Sequence, residues 1–258
     1  MFTYAGGKYR RRLHLCDRLE RRGAATEYRE PFLGSGGLTW EFLARNPGIR
    51  RVWLNDRNPA LVAFWRAAIL HPAELSGALF RIGRGDLPAL YGSAARLLAS
   101  LADPPTDRAG LVEAGRAWMV CQMMRFHGYA TSSPRPRPNR WNPHYYLSRM
   151  ERVGRVLRGR IVRLTCGDFG PLLADNRGVV FADPPYWMLD LYPGRFSVSD
   201  HLRLRDMLRQ RGSWVLTYDD CPVVRLMYDW AEIETVPVRY RYRSRLARRT
   251  ELVITPEQ

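Results

Sequence analysis

The chain of 258 residues is strongly basic but contains almost no lysine. Lys8 is the only lysine, so arginine supplies the rest of the 41 basic side chains that give a net charge of +16. This charge favours a polyanionic partner, most simply nucleic acid, although an arginine-biased proteome is an alternative explanation. Because arginine serves at every other position, we expect position 8 to need a compact ammonium group.

Cysteine is also scarce, and its spacing is uninformative for metal binding. The four cysteines lie far apart and form no C-x-x-C pair: Cys16, Cys121, Cys166 and Cys221. This spacing argues against a zinc site and a disulfide framework, and it is typical of a reducing cytoplasm. No run approaches the roughly 18 apolar residues of a membrane span, and residues 1–4 lack a signal-peptide pattern. We therefore expect a cytoplasmic protein with no metal and no membrane partner.

The sequence Ala-Asp-Pro-Pro-Tyr at residues 182–186 follows an apolar run that is typical of a buried strand. The acid and the first proline carbonyl can accept hydrogen bonds from an amino group, and the prolines stiffen the turn. The aromatic ring offers a flat face to a planar heterocycle. The pattern predicts a clamp for the exocyclic amine of a nucleobase, formed by Asp183, Pro184, Pro185 and Tyr186.

A proline-stiffened turn without chemistry is the alternative interpretation of that stretch. The chain contains a natural comparison, because Ala-Asp-Pro-Pro recurs at residues 102–105 and is followed by Thr106. This copy comes after a helix-like run and lacks the aromatic residue. We expect residues 102–106 to be a linker turn.

A glycine-rich turn near the beginning of the chain lies between a short strand, which starts at residue 27, and a helix, residues 38–44. In this order a glycine loop is informative, although the turn is neither G-x-G-x-x-G nor a P-loop. We expect Gly34 and Gly36 to lie where a side chain would meet a ligand. Asp56 ends a second strand about twenty residues later, where nucleotide-type folds bind ribose hydroxyls. A helix N-cap is the other interpretation of Asp56.

The chain changes character between residues 71 and 160. Helical patterns occupy residues 72–80, 87–101, 108–126 and 147–157. The four prolines at residues 127–143 exclude helix and central strand there. Arginines in this segment are interspersed with Tyr129 and Trp141, which suits phosphate contact and base stacking. A solvated loop is the alternative.

Strands alternate with helices on both sides of this segment, which predicts a doubly wound, mostly parallel α/β sheet. The alternating pattern of residues 236–243, followed by residues 250–255, predicts a C-terminal antiparallel hairpin. Its turn, residues 244–249, is a second candidate for phosphate contact. We predict a catalytic domain in two parts, residues 1–70 and 161–258, around an inserted target-recognition domain, residues 71–160.

As a set, the motifs resemble the Dam-type, S-adenosylmethionine-dependent N6-adenine DNA methyltransferases. The matching runs are residues 4–8, 30–37, 55–56, 167–169, 183–186 and 218–220. The glycine loop comes first, the insertion next and Asp-Pro-Pro-Tyr last, which is similar to the alpha arrangement of that family. The resemblance implies a seven-stranded, Rossmann-like methyltransferase sheet with a mainly helical insertion. It also implies methyl transfer to an adenine that is flipped out of duplex DNA.

The resemblance implies a role for each matching residue. Asp183 and the Pro184 carbonyl would accept hydrogen bonds from the target amine, and Tyr186 would stack on the base. The residues expected to bind S-adenosylmethionine are Tyr4, Ala5, Gly6, Lys8, Phe32, Gly34, Ser35, Gly36, Asp56, Asp168, Phe169 and Asp183. The residues expected to contact DNA are Tyr129, Arg135, Arg137, Asn139, Arg140, Trp141, Arg243 and Arg245.

Several alternatives stay open from the sequence. The same clamp would suit an N4-cytosine DNA methyltransferase or an adenine RNA methyltransferase, although N4-cytosine enzymes more often carry Ser where Asp183 stands. A catalytically silent DNA-binding module is an alternative of another class. The expected partner is double-stranded DNA in a bacterium or a phage-infected host cell. A solitary methylase, a phage enzyme and the partner of a cognate restriction endonuclease all fit the pattern.

Overall fold

The computed structural model describes residues 8–124, 141–187, 196–242 and 245–257, without the side chains of residues 9, 10 and 239–249. After a short 3-10 turn, Lys8–Arg11, the helices are α1 (Arg12–Glu20), α2 (Thr39–Arg45), α3 (Pro59–Leu70), α4 (Pro72–Phe80), α5 (Leu87–Ala99), α6 (Arg108–Met124), α7 (Pro143–Leu157), α8 (Gly170–Leu173), α9 (Val198–Arg209) and α10 (Pro222–Met227). The strands are β1 (Glu27–Glu30), β2 (Arg51–Asp56), β3 (Ile161–Cys166), β4 (Val179–Ala182), β5 (Trp214–Asp219), β6 (Glu232–Tyr242) and β7 (Arg245–Thr255).

The strands form one seven-stranded sheet in the order β3-β2-β1-β4-β5-β7-β6. The neighbours from β3 to β5 are parallel, whereas β7 is antiparallel to both β5 and β6. The predicted doubly wound, mostly parallel sheet with a C-terminal hairpin is therefore confirmed. The strand order reverses between β1 and β4, and open α/β sheets bind ligands at such a point, outside the carboxyl ends of the strands.

Strands β4 and β5 are largely apolar because both of their faces are covered. All four residues of β4 are buried, and so are the first five residues of β5. Acidic side chains appear only where these strands end, at Asp183 and Asp219. The apolar runs therefore deliver acidic side chains to the same edge of the sheet.

The described helices of the predicted insertion pack directly on the catalytic half. Helix α6 lies against α3, α4 and α5, while α7 lies against α2, α3 and α4. Trp65 of α3 and Trp118 of α6 belong to one hydrophobic cluster that also includes Tyr28 of β1 and Phe181 of β4. These helices therefore share a core with the sheet. The domain boundaries near residues 71 and 160 stay a prediction.

Among the predicted boundaries that differ from the structure, two have a local reason. Helix α7 begins at Pro143 rather than at Leu147, because the Asn142 side chain accepts a hydrogen bond from the Tyr145 backbone N–H at 3.1 Å. Strand β7 begins at Arg245, which pairs with Tyr242, so residues 245–249 are strand and not the predicted turn. Arginine does not alternate with apolar residues in that part of β7, which hides the strand from a pattern analysis.

The second Ala-Asp-Pro-Pro copy, residues 102–105, connects α5 to α6 as predicted for a linker. The short helix α8 was not predicted. It begins where the Asp168 side chain accepts a hydrogen bond from the Gly170 N–H at 2.8 Å.

Candidate active site

Asp183 directly follows β4 at the point where the strand order reverses. Its Oδ1 accepts a hydrogen bond from Thr217 Oγ1 at 2.7 Å and lies 2.7 Å from Lys8 Nζ. No described residue donates to Oδ2. The Asp183 side chain is 18% exposed, whereas that of Lys8 is 4% exposed. The carboxylate is thus fixed through one oxygen, and the other can accept hydrogen bonds from a ligand.

The only lysine of the chain is therefore the buried partner of the clamp acid. Its Nζ also lies 4.9 Å from the centroid of the Tyr186 ring. Burial by itself lowers the pKa of Lys8, but Asp183 and then Tyr186 outweigh it and raise the pKa above its usual value. The ammonium group stays charged, and the contact with Asp183 gives a physical reason for a compact cation at this position. The cofactor contact that the resemblance implies for Lys8 stays a prediction.

Tyr186 is held against the end of β5. Its ring stacks on that of Tyr218, with centroids 5.9 Å apart and planes at 30°. One residue later, the Trp187 backbone N–H donates to Asp219 Oδ1 at 3.0 Å. Between the acid and the aromatic, Pro184 is buried and Pro185 is half-buried. The predicted clamp residues thus lie in one short loop that protein contacts fix at both ends.

The glycine loop takes backbone conformations that favour glycine. Gly34 and Gly36 have φ values of 50° and 60°. Trp65 Nε1 donates to the Gly34 carbonyl at 2.9 Å, and Ser35 between the two glycines is buried. A Cβ at Gly36 would lie 2.5 Å from Trp40 Nε1. A side chain at position 36 is therefore excluded by a protein indole, and the expected contact of Gly36 with a ligand stays a prediction.

Asp56 ties the glycine loop to the end of β2. Its Oδ2 accepts from the Gly34 N–H and its Oδ1 from the Asn58 N–H, both at 2.9 Å. Burial raises the pKa of Asp56, and the backbone hydrogen bonds only partly offset this effect. The cap of α3 is Asn58, which accepts from the N–H groups of Ala60 and Leu61. The N-cap interpretation of Asp56 is therefore wrong.

Asp168 and Phe169 follow the end of β3. Asp168 Oδ2 pairs with Arg203 of α9, and Oδ1 accepts from the Gly170 N–H. Burial alone raises the pKa of Asp168, but these contacts outweigh it and hold the pKa below its usual value. Phe169 packs 5.5 Å from Phe32, centroid to centroid, and the Arg203 guanidinium lies 4.2 Å above the Phe169 ring. No sequence pattern indicated a role for Arg203, because its partner Asp168 lies at the end of β3, far away in the chain.

Glu30 is a buried acid at the end of β1, directly before the glycine loop. Sequence analysis assigned no role to it. It is 2% exposed and accepts hydrogen bonds on Oε2 from the hydroxyls of Tyr28 and Thr39. Burial raises the pKa of Glu30 to about 8, against the opposite effect of these two hydrogen bonds. At neutral pH this carboxyl is therefore largely protonated and almost uncharged.

Trp141 is a core residue. It is 2% exposed, and its Nε1 donates to the Ile82 carbonyl at 3.1 Å. A buried indole cannot stack on a base without leaving this position, so we remove Trp141 from the expected DNA contacts. The neighbouring Asn142 and Pro143 form the start of α7, which gives a structural reason for the Trp-Asn-Pro motif.

The structure brings most described candidates to the strand ends of the sheet. The remaining candidates lie outside the described residues: Tyr4, Ala5, Gly6, Tyr129, Arg135, Arg137, Asn139, Arg140 and Arg243. The side chain of Arg245 lies outside them as well. Sequence analysis missed Thr217, whose only signal is its place near the carboxyl end of a central strand.

The described residues contain no group of three His, Cys, Asp or Glu side chains that could hold a metal ion. Within the same ranges no helix is both long and apolar enough to cross a bilayer.

Residues 4–87 match the family model described as D12 class N6 adenine-specific DNA methyltransferase. The matched part contains Lys8, the glycine loop and Asp56, and it ends before Asp168 and Asp183. The resemblance that the motifs indicated is confirmed by this match. No curated protein matches the chain.

Among solved structures, the chain resembles the rRNA methyltransferase aviRa from Streptomyces viridochromogenes, with 16% identity, coverage of 95% of this chain and 84% of that chain, and a TM-score of 0.39. It also resembles precorrin-6y C5,15-methyltransferase from Geobacter metallireducens, with 12% identity, coverage of 94% and 84%, and a TM-score of 0.38. A third structure, precorrin 8w decarboxylase from Methanobacterium thermoautotrophicum, shows 11% identity, coverage of 96% and 90%, and a TM-score of 0.37. At these values the likenesses carry no argument about the substrate.

Proposed function

We propose, from the match of residues 4–87 to the D12 class of N6 adenine-specific DNA methyltransferases, that the chain methylates the N6 amine of adenine in duplex DNA with S-adenosylmethionine. One observation carries the proposal. The Asp183 carboxylate is held through Oδ1 by Lys8 and Thr217, no described residue donates to its other oxygen, and the same Lys8 ammonium lies 4.9 Å from the centroid of the Tyr186 ring. An acceptor next to an aromatic face suits a planar base that carries an amino group.

The chemistry needs positioning more than acid–base catalysis. The exocyclic amine is a poor nucleophile, because its lone pair is delocalised into the ring. Asp183 Oδ2 and the Pro184 carbonyl would accept the two N–H groups, which favours a tetrahedral nitrogen and exposes the lone pair. The cofactor supplies an activated sulfonium methyl group when it is bound. An in-line approach of the amine to that methyl group then depends on how firmly Asp183 and Tyr186 hold the base.

Lys8 defines the role of Asp183 within this scheme. Its ammonium lies 2.7 Å from Oδ1 and fixes the orientation of the carboxylate. An ionised carboxylate has acceptor capacity only, which is what a clamp for an amine requires. We therefore assign Asp183 as a hydrogen-bond acceptor for the target amine and Lys8 as the residue that holds the carboxylate in place.

The strand ends fit an extended cofactor. Three neighbouring strands of the sheet carry the candidate groups at their carboxyl ends. The positive-φ backbone at Gly34 and Gly36 follows β1, Asp56 ends β2, and the exposed carboxylate of Asp168 follows β3. Asp56 Oδ2 and Oδ1 accept the N–H groups of Gly34 and Asn58, and a carboxylate has enough lone pairs to accept a ribose hydroxyl as well. In the proposal, Asp56 binds the ribose and Asp168 with Phe169 contacts the adenine of the cofactor.

DNA binding rests on the charge of +16 and on candidate residues that the structure leaves undescribed. Tyr129, Arg135, Arg137, Asn139, Arg140, Arg243 and Arg245 stay proposed DNA contacts. If two of these arginines bind phosphates, replacing both with alanine reduces the slope of log affinity against log salt by roughly two. An unchanged slope would assign them to the solvated surface.

The test is methyl transfer to unmethylated plasmid DNA with labelled S-adenosylmethionine, followed by nucleoside analysis. We expect N6-methyladenine in DNA, no N4-methylcytosine and little transfer to an RNA of the same sequence. Asp183→Asn is the matched control, since it preserves the shape of the side chain and removes its charge. Label in RNA alone, or in N4-methylcytosine, would overturn the substrate assignment. Cofactor binding by calorimetry without transfer to any substrate would favour the silent module.

A further inference from the structure

Three consecutive residues at the end of β5 contact three points of the loop formed by residues 183–187. The Thr217 hydroxyl donates to Asp183 Oδ1 at 2.7 Å. The Tyr218 ring stacks on the ring of Tyr186. Asp219 Oδ1 accepts a hydrogen bond from the backbone N–H that follows Tyr186 at 3.0 Å. The carboxylate, the aromatic ring and the backbone of the loop are thus each held by a neighbouring residue of one strand.

His201 of α9 lies behind this strand end. It is 4% exposed, and its Nδ1 shares a hydrogen bond with the Tyr218 hydroxyl. The Trp187 ring lies 4.9 Å from the imidazole and the Phe196 ring 4.7 Å, both between centroids. His201 therefore contacts the residue that supports Tyr186 and also the residue that follows Tyr186.

The protonation state of His201 is compatible with a fixed contact. Burial lowers the pKa of His201 to about 4, and nearby Asp200 opposes this effect only in part. The imidazole is therefore neutral across the physiological range. A neutral imidazole can keep one unchanging hydrogen bond with the Tyr218 hydroxyl over that range.

We infer that Thr217, Tyr218 and Asp219 act as a template for the loop of residues 183–187, and that His201 is a positioning residue that fixes the template through Tyr218. This inference rests on the proposed function for its kinetic consequences. His201 contacts Tyr218, and Tyr218 stacks on Tyr186, which in the proposal stacks on the base. A small displacement of Tyr218 therefore moves the Tyr186 ring. Misplacement of a reacting group by about 1 Å can reduce the rate by about a hundredfold.

Ordinary packing of a buried aromatic cluster is the competing explanation, and Tyr228 provides the control for it. Tyr228 is fully buried and packs 6.1 Å from Tyr218, centroid to centroid. Its hydroxyl makes no hydrogen bond within the described part of the chain. Tyr228→Phe and Tyr218→Phe delete the same atom from neighbouring rings, but only Tyr218→Phe breaks the link to His201.

The kinetic experiment compares single-turnover methyl transfer for His201→Phe, His201→Asn, Tyr218→Phe and Tyr228→Phe. We expect His201→Phe and Tyr218→Phe to lose about ten- to a hundredfold in rate, with the cofactor Kd unchanged by calorimetry. A variant that combines His201→Phe with Tyr218→Phe should be no slower than the slower of the two single variants, because both substitutions break the same hydrogen bond between His201 and Tyr218. His201→Asn should recover most of the rate, because its amide can reach the place of Nδ1. Equal rates for Tyr218→Phe and Tyr228→Phe would overturn the inference.

A second readout is independent of methyl transfer. Hydrogen exchange by mass spectrometry on the peptide of residues 179–187 reports the protection of the Trp187 amide. We expect faster exchange in His201→Phe and Tyr218→Phe, and wild-type exchange in Tyr228→Phe. If the wild type methylates no substrate but shows this contrast, the proposed function fails and the positioning role stands. If all variants exchange like the wild type, the positioning role fails whatever the activity.

Discussion

The chain contains Ala-Asp-Pro-Pro twice, and the two copies have different environments. At residues 182–185 the sequence follows a buried central strand, and Asp183 contacts Lys8 and Thr217. At residues 102–105 it connects α5 to α6, and Asp103 is exposed without a hydrogen bond or ion pair to another described residue. The tetrapeptide provides a stiff turn in both places. The buried strand and the partners from distant parts of the chain distinguish the candidate site.

The first prediction breaks this comparison directly. Asp183→Ala should reduce single-turnover methyl transfer by about a thousandfold, because it removes the acceptor that orients the amine. Asp103→Ala should leave the rate unchanged. Asp183→Ala can also weaken cofactor binding, so the rate is measured at saturating cofactor after calorimetry. Equal effects of the two substitutions would show that the site lies elsewhere.

The second prediction sharpens the comparison at the residue that differs between the copies. Tyr186→Thr gives the site the sequence of residues 102–106, and both Tyr186→Thr and Tyr186→Ala should lose about a hundredfold in turnover. Tyr186→Phe keeps the ring face that stacks on Tyr218 and should retain most activity. Cofactor affinity should be normal in all three. If Tyr186→Phe were as inactive as Tyr186→Ala, the hydroxyl would take part in the chemistry.

The third prediction concerns Lys8, the cationic partner that Asp183 has and that Asp103 lacks among the described residues. Lys8→Met leaves the Asp183 carboxylate in a largely buried place without its cation, and should reduce the free energy of unfolding by about 3 kcal/mol. Adding Asp183→Asn should restore much of that stability but no activity, because the uncompensated charge and the acceptor disappear together. Denaturant unfolding and methyl transfer measure the two effects separately. A Lys8→Met protein as stable as the wild type would contradict a structural ion pair.

The fourth prediction is a pH dependence of the stability that arises from Glu30, next to the glycine loop. The pKa of Glu30 is about 8 in the folded chain, above its ordinary value of 4.5. The folded state therefore binds more protons, and the stability from protonated Glu30 is lost as the pH rises from 4.5 through 8. Glu30→Gln should gain stability relative to the wild type over this interval. Thermal unfolding at pH 5.5 and 8.5 tests this, and a constant difference in Tm would contradict it.

The sequence alone predicted the strand ends well, because both relevant signals are local. Apolar runs predict β4 and β5, and the acids at their ends are visible as the change from apolar to charged residues. The sheet order then brings Asp56, Asp168 and Asp183 to one edge. Local pattern and fold class were therefore sufficient to place the acidic candidates.

The contacts that give those residues their properties could not be predicted, because they join distant segments. Nothing in the sequence pairs Lys8 with Asp183 or Arg203 with Asp168. Composition also cannot tell a base-stacking tryptophan from a core one, which is why Trp141 was placed among the DNA contacts. The contact of Gly36 with Trp40 was hidden for the same reason, since that indole belongs to a helix whose packing the pattern does not show.

The solitary lysine has a practical consequence. Lys8 carries the only side-chain amine of the chain, and that amine is 4% exposed in contact with Asp183. An amine-reactive reagent can therefore modify the interior of the protein at one place, and peptide mapping separates this product from modification of the α-amino group. Slow acylation of Lys8 reports an intact ion pair, and faster acylation reports its opening. The rate of Lys8 acylation therefore reports on the candidate site without a mutation or a substrate.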